Sequence, residues 1–451
     1  MDAAVLLSYG APLVSVLGAA ESGDWLALDT GVRDAPLHRS VYFPERRCLA
    51  PLPDDLAQAD EPRLAVALCH RDGRIRAAAL PFAERYPGLL PLVVIRCADW
   101  AEPVRQRARQ LLRDVLDADT AAGLAALVLR MGRRDRGVFA VELLTEVLGA
   151  APRDRLDVLL ASPDLAVRRF TYRLGVEHGR LGPGELAVAA GRDPDTVVQD
   201  VCSTAALAAL RDAGPSDEVI APLLAARGPR ARSAGVTALR RAGQTERAEP
   251  FLADRSGLVR ACARYVVRHH GGDPAAWYRE RCVVPGGPVS APGAVIGLAE
   301  CGHRHDAGLL RSLLAHPDGR VRAHAVAGLR VLDAADADLL LPLIDDPVSR
   351  VVRETVHALL PHAKALPVGH LTGRTGRQWP RHVRTAAFRL LTARRGVVAL
   401  RAAVAGLDDP DVKLRTWAEQ GVRCWSPADD EPLVDTEVDE LLERSRHLFS
   451  G

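Results

Sequence analysis

Arginine is the residue whose spacing first suggests chemistry. The chain has 451 residues, and of its 59 basic side chains only Lys364 and Lys413 are lysines. Ten segments carry an apolar residue followed by Arg, once by Gln. They are Ile75-Arg76, Val104-Arg105, Val167-Arg168, Val198-Gln199, Ala231-Arg232, Val259-Arg260, Val321-Arg322, Val352-Arg353, Val383-Arg384 and Leu414-Arg415. A ladder of guanidinium groups can grip a partner's phosphates or carboxylates through paired N–H donors, or it can pair with acids of its own chain. These arginines recur in step with the sequence pattern itself. They are therefore expected to pair internally, with an Asp four residues earlier or with an acid of the next unit.

A second feature is charge segregation. From Thr355 to Leu407 there is no Asp or Glu, while Lys364, Arg374, Arg377, Arg381, Arg384, Arg389, Arg394, Arg395 and Arg401 stand there with Trp379, His370 and His382 among them. Arginines interleaved with aromatics suit an acidic protein surface or a nucleic-acid backbone. The competing expectation is that they answer acids on either side, among them Asp345, Asp346, Asp408, Asp409 and Asp411. Arg374, Arg377, Trp379, Arg381, Arg384, Arg389, Arg394 and Arg395 are the candidate partner-binding residues. A smaller acid-free stretch, Val219 to Thr245, carries Arg227, Arg230, Arg232, Arg240 and Arg241.

The third is a His/Cys group: His269, His270, Cys282, Cys301, His303 and His305. Ring nitrogens and thiolates are metal ligands, but this spacing fits no zinc motif. Histidines at helix C-termini are also favoured by the helix dipole. No metal and no cofactor is expected, and His269, His270, Cys301, His303 and His305 stand as the weak metal candidates. Trp417 and Trp425, eight apart, are expected on one face of a last helix, and Trp100 at a turn. There is no GxSxG, no Walker A loop, no GxGxxG after a strand and no HExxH.

The elements that must position these residues follow from the same register. Gaps between the recurring arginines cluster near 31 residues, with two near twice that. Each long gap is expected to hide one degenerate unit, around Gly137-Val138-Phe139 and Ala294-Val295-Ile296, making about twelve units over residues 60 to 427. Three residues after the Arg comes a small residue (Ala79, Ala108, Ala263, Ala325, Ala387, Ala418, with Gly235 and Cys202 as variants), and seven after it an aliphatic (Leu112, Leu239, Val267, Leu329, Leu360, Leu391, Val422). With the preceding valine this is one stripe of an α-helix. Asp72, Asp164, Asp195, Asp318 and Asp411, four before the Arg or Gln, are N-cap candidates. Each unit reads as helix A, turn, helix B. The segments His316 to Leu329 and Asp409 to Arg415 resemble HEAT-like repeats of the short bacterial, phycobilisome-lyase type, over about four-fifths of the chain. That resemblance implies an all-α, right-handed α-solenoid of stacked helix pairs, and it leaves function open because the fold serves many roles.

Composition agrees. Apolar residues make up 48% of the chain but aromatics only 4%, which suits thin stacked helices cored by Ala, Leu and Val. A net charge of +2 argues against a uniformly basic nucleic-acid binder. Residues 1–57 hold Pro12, Pro36, Pro44, Pro51 and Pro53 and read as an N-terminal cap with irregular loops. Residues 58–427 are the solenoid, and 428–451 a linker and an amphipathic capping helix from Thr436 to Leu448. The uncharged stretch Ala3 to Ala20 lacks a basic start and is broken by Gly10 and Pro12, so it reads as packed helix and not a signal. No membrane span is expected, and eight scattered cysteines without a CxxC fit a reduced, cytoplasmic protein. The function expected is a non-catalytic scaffold or adaptor whose concave helical surface binds a protein partner. Two alternatives are nucleic-acid binding through the Arg-rich face, with the base-excision chemistry known on HEAT-like DNA glycosylases, and lyase-type handling of a small molecule or chromophore.

Overall fold

The computed structural model describes residues 3–18, 21–35, 48–283, 292–427 and 436–449, with side chains for all of these but Asp212 and Ala213. Among them every regular element is a helix, and no helix is long and apolar enough to cross a membrane. The chain divides into two compact units, residues 1–231 and 232–451.

In the first unit, helix Gly73–Ala83 packs on helix Glu102–Val115, and Leu165–Glu177 on Thr196–Ala213. Between these run Leu90–Arg96, which packs on Ala118–Met131, and Pro183–Arg192, which packs on Asp217–Leu224. In the second unit, Pro292–Cys301, Gly319–Val331, Ser349–Leu359 and Arg381–Thr392 pack in series. Each helix meets its own pair partner and the equivalent helix of the next pair, and that is the arrangement of an α-solenoid. Helices Val138–Ala150 and Pro292–Cys301 occupy the two long gaps in the arginine spacing.

The stripe read from the sequence is the core. Ala79, Ala108, Ala263, Ala325, Ala387 and Ala418 are fully buried, as are Val198, Val259, Val321, Leu112, Leu239 and Leu329. A side chain that stops at Cβ lets the neighbouring helix approach toward the close end of the usual 8–10 Å range. The caps form where expected. The carboxylates of Asp72, Asp164, Asp195, Asp318 and Asp411 accept from backbone N–H groups of the helices they precede, and such a cap is worth about 1 kcal/mol.

Most of the recurring arginines pair internally with acids, but not with those caps, while Arg105 and Arg415 bond to carbonyls of their own entry turns. Arg76 holds Asp99 through two hydrogen bonds of 2.9 and 2.7 Å. Arg232 holds Asp254, Arg322 holds Asp346 and Arg384 holds Asp409 in the same two-pronged way, and Arg168 reaches Asp193. Except for Asp346, the acid lies six residues before the next Arg or Gln of the series. In each case its carboxylate also accepts the backbone N–H two residues on, of Ala101, Asp195, Ser256, Val348 and Asp411. The guanidinium's remaining nitrogen donates to carbonyls of its own entry turn, such as His70, Ser162, Asp254, His316 and Trp379. One side chain thus ties the turn that starts its own helix to the turn that starts the next. Where a capping Asp does hold an arginine, as Asp195 holds Arg169 and Asp411 holds Arg381, that arginine is not one of the recurring series.

At the N-terminal end this pairing condenses into a buried cluster. Arg96, also fully buried, pairs with Asp29 of helix Ser22–Asp34 and lies 3.2 Å from Asp99. Burial opposes ionisation of Asp99, but the Arg76 hydrogen bonds, the Ala101 N–H and the charges of Arg96 and Arg76 together outweigh it and hold the carboxyl below its usual range. Residues 3–17 form two short helices, Ala3–Ser8 and Leu13–Leu17, separated at Gly10, whose φ is +88°. Pro36 and Pro44 of the expected irregular cap lie outside the described residues, as does most of the linker after Trp425. Helix Thr436–Arg444 lays Leu441 on Leu400, Ala403, Val404 and Val422.

Two outcomes follow. Asp99→Asn leaves Arg76 and Arg96 buried without full counter-charge and is expected to lower unfolding stability by about 3–5 kcal/mol in chemical denaturation. Asp195 and Asp318 are held down at about 2, chiefly by Arg169 and Arg320 respectively, whereas an unfolded Asp titrates near 3.9. A depressed folded value means the stabilisation is complete above about pH 4 and is lost as the pH falls toward 2. Helical circular dichroism followed through that window is expected to show the loss, and Asp195→Asn to make it shallower.

Candidate partner-binding groove

The acid-free stretch does not form one continuous cationic face. Arg374 is bound to Asp345 by bonds of 2.7 and 2.6 Å and lies over the Trp379 ring at 5.2 Å. Trp379 donates its indole N–H to Gly373 O. Arg377 donates to Asp408 O, Arg381 pairs with Asp411 at 2.6 Å, and Arg401 pairs with Glu437. Arg384 is a buried rung of the ladder. Arg394 donates to the carbonyls of Ala363 and Leu366. Arg395 stands at the turn before helix Gly396–Gly406 with φ +63°. Six of these arginines are thus spent on the fold through side-chain bonds to its acids and carbonyls. Arg389 is not: among the described residues its guanidinium has no hydrogen-bond or ion-pair partner.

Arg389 opens into a groove of about 420 Å³ that crosses three successive B helices, Ser349–Leu359, Arg381–Thr392 and Val412–Arg423. The floor is apolar: half-buried Trp417, packed against Phe388, Leu414 and Ala418, with the small accessible parts of the core residues Val352, Val356 and Ala386. The walls carry Arg353, Arg381, Arg389, Lys413 and His382. The His382 ring bonds to Asp346 O at 3.1 Å. Lys413 lies 5.3 Å over the Trp417 ring, a cation–π contact that leaves its charge toward solvent. No carboxylate lines the groove. Its cations meet two acids at the margin, Glu354 beside Arg353 and Asp411 beside Arg381.

Arg353 and Lys413 are the groove cations the sequence reading missed, and Arg353 had a legible signal. It occupies a ladder position, yet the residue six before the next ladder arginine is Gln378 instead of Asp. With no acid to receive it, Arg353 pairs only with its neighbour Glu354 and remains more than half exposed. Lys413 stands outside the acid-free window, on the helix that follows it. Trp417 and Trp425 do not share a face. Helix Val412–Arg423 ends before Trp425, which donates to Gly396 O and packs under the C-terminal helix.

The His/Cys group is split. His269 and His270 end one helix, where His269 stacks on Tyr265 and His270 bonds to Arg240 O. Cys301 ends another and is bonded to Gly297 O, with His303 and His305 in the turn that follows. Among the described residues no three His, Cys, Asp or Glu side chains converge as metal ligands. Burial pushes the thiols of Cys97, Cys202 and Cys282 up to about 12, which keeps them protonated as packing groups. Two wider clefts in the first unit, about 1020 and 960 Å³, are lined by residues such as Trp25, Arg130 and Asp164, and Leu52, His70 and Phe82.

No protein family matches the chain, and no curated protein sequence does. Among solved structures, it is similar to importin beta in an ammonium sulfate condition at 12% identity, covering 99% of this chain and 65% of that one, with a TM-score of 0.35. It is also similar to Kap121p bound to Nup53p at 14% identity, covering 93% and 52%, with a TM-score of 0.29. The chain spans about half to two-thirds of the length of these structures.

The division between spent and available arginines is open to measurement. Arg384→Gln breaks a buried pair and is expected to cost about 3 kcal/mol of stability. Arg389→Gln touches no ion pair and is expected to stay within about 0.5 kcal/mol of the parent. Denaturant titration of both variants checks the contrast.

Proposed function

We propose that this protein is a non-catalytic scaffold that works by presenting the groove over Ser349–Leu359, Arg381–Thr392 and Val412–Arg423 to a protein partner. The observation that carries this reading is the partition of charge. Ladder arginines such as Arg76, Arg322 and Arg384 are neutralised inside the stack, whereas Arg389 and Lys413 are left without a carboxylate beside an apolar floor. A polar rim around a small apolar centre with an aromatic anchor is the composition of a protein-binding surface. A phosphate-gripping face asks for a run of free guanidinium groups, and Arg374, Arg377, Arg384 and Arg394 already bond within the fold. A cytoplasmic setting fits the eight cysteines, all free of disulfides.

A photo-crosslinking residue at Thr385, in the groove lining, is expected to trap a discrete protein adduct in the source cells, and the same residue at exposed Glu440 is not. Absence of an adduct at Thr385, or the same adducts from both positions, overturns the reading.

A further inference from the structure

The groove's partner can be specified further. We infer that it takes an extended acidic peptide segment in which carboxylates alternate with apolar side chains; this rests on the scaffold reading above. Three observations set that chemistry. The first is charge. Arg353, Arg381, Arg389 and Lys413 line the groove and no acid does, while the nearest acids, Glu354 and Asp411, each answer one arginine. Arg350, at the start of the same helix as Arg353, bonds to the ring nitrogen of His324 and not to a carboxylate. His324 donates its other ring N–H to Pro292 O at 2.6 Å, so the ring is neutral and offsets none of the arginine's charge.

The second is the floor. Half-buried Trp417, with the small accessible parts of otherwise buried Val352, Val356 and Ala386, gives a shallow apolar strip between the cations. The third is length. Packed helices stand 8–10 Å apart, so a path over three of them is about 20 Å. An extended strand covers that in about six residues and turns alternate side chains to opposite faces. Apolar side chains of one parity meet the strip, and acids of the other parity meet the exposed cations that rise above it, Arg353 and Lys413. The segment must be supplied preorganised or disordered by its owner. Carboxylates suit the walls because a guanidinium binds them through two parallel N–H donors.

The groove exists because the ladder is interrupted. Gln378 stands where Asp99, Asp193, Asp254 and Asp409 stand in other repeats. Arg353 is therefore released to the surface at the one place where Arg389 and Lys413 also face out.

The test uses the full chain and fluorescence anisotropy. The probes are a labelled ten-residue peptide alternating Glu and Leu, the same peptide with Lys for Glu, and a single-stranded oligonucleotide. The Glu-Leu peptide is expected to bind, to weaken with added salt, and to lose at least about tenfold in affinity in the double variant Arg389→Glu/Lys413→Glu. The same two-charge change at Arg444 and Arg446 controls for net charge and is expected to leave affinity within about twofold. If the double reversal disturbs the helical signal, Arg389→Gln/Lys413→Gln replaces it, with a loss of about threefold or more expected. Equal binding of the Lys-Leu peptide, tighter binding of the oligonucleotide, or a loss no larger than the control's overturns the inference. An adduct at Thr385 with no affinity for the Glu-Leu peptide overturns the acidic partner and leaves the scaffold reading in place. Loss of both overturns the two together.

Discussion

Each rung of this structure is a guanidinium clamped between two turns. The arginine one turn into a B helix donates back to carbonyls of its own entry turn and forward to a carboxylate that holds the entry turn of the next helix. Helix pairs with thin Ala, Leu and Val cores bury little surface each, so relative placement of neighbours must come from directional contacts as well. A bidentate Arg–Asp bond supplies direction, since it fixes both distance and plane. Buried ion pairs contribute little net stability over an apolar replacement, but losing one partner is costly. The ladder therefore acts more on register between neighbours than on the free energy of any one of them.

That constraint organises the surface too. Wherever a rung is complete, the arginine is withdrawn from solvent, as with Arg76, Arg232 and Arg384. At Arg353, where the acid is missing, the cation is left outside. The arginine-rich composition of this chain is thus a poor guide to where it meets other molecules. The useful question is which guanidinium groups lack an internal acceptor beside an apolar surface, as Arg389 does in its groove.

The groove also shows why a structural repeat can carry a specific site without any added loop. Its three helices have the ordinary repeat stripe on their buried side, Val352, Val383 and Leu414 among the core residues. What differs is on the outward side: Arg353 without its acid, Arg389 with no partner, and Lys413 lying over Trp417. Three changes of side chain, in register across neighbouring helices, suffice.

Much of this was legible from the order of residues. The all-α repeat, its stripe, its small residue at the close approach and its Asp caps follow from local periodicity, because a helix brings residues four apart onto one face whatever else surrounds it. Internal pairing of the recurring arginines was legible as well, but the identity of the acid was not. Asp99 and Asp72 are both near a helix start, and only the packing of one turn against the next shows which carboxylate is free to turn toward Arg76. The same limit applies to the basic stretch from residue 355 to 407. The acids on either side were candidates, but only the fold shows Asp345, Asp409 and Asp411 standing across from Arg374, Arg384 and Arg381. Sequence determined that this chain stacks helix pairs and places arginine at each step. Tertiary structure alone decided which arginines are consumed by that stacking and which remain to bind, because the acceptor for each guanidinium belongs to a different repeat.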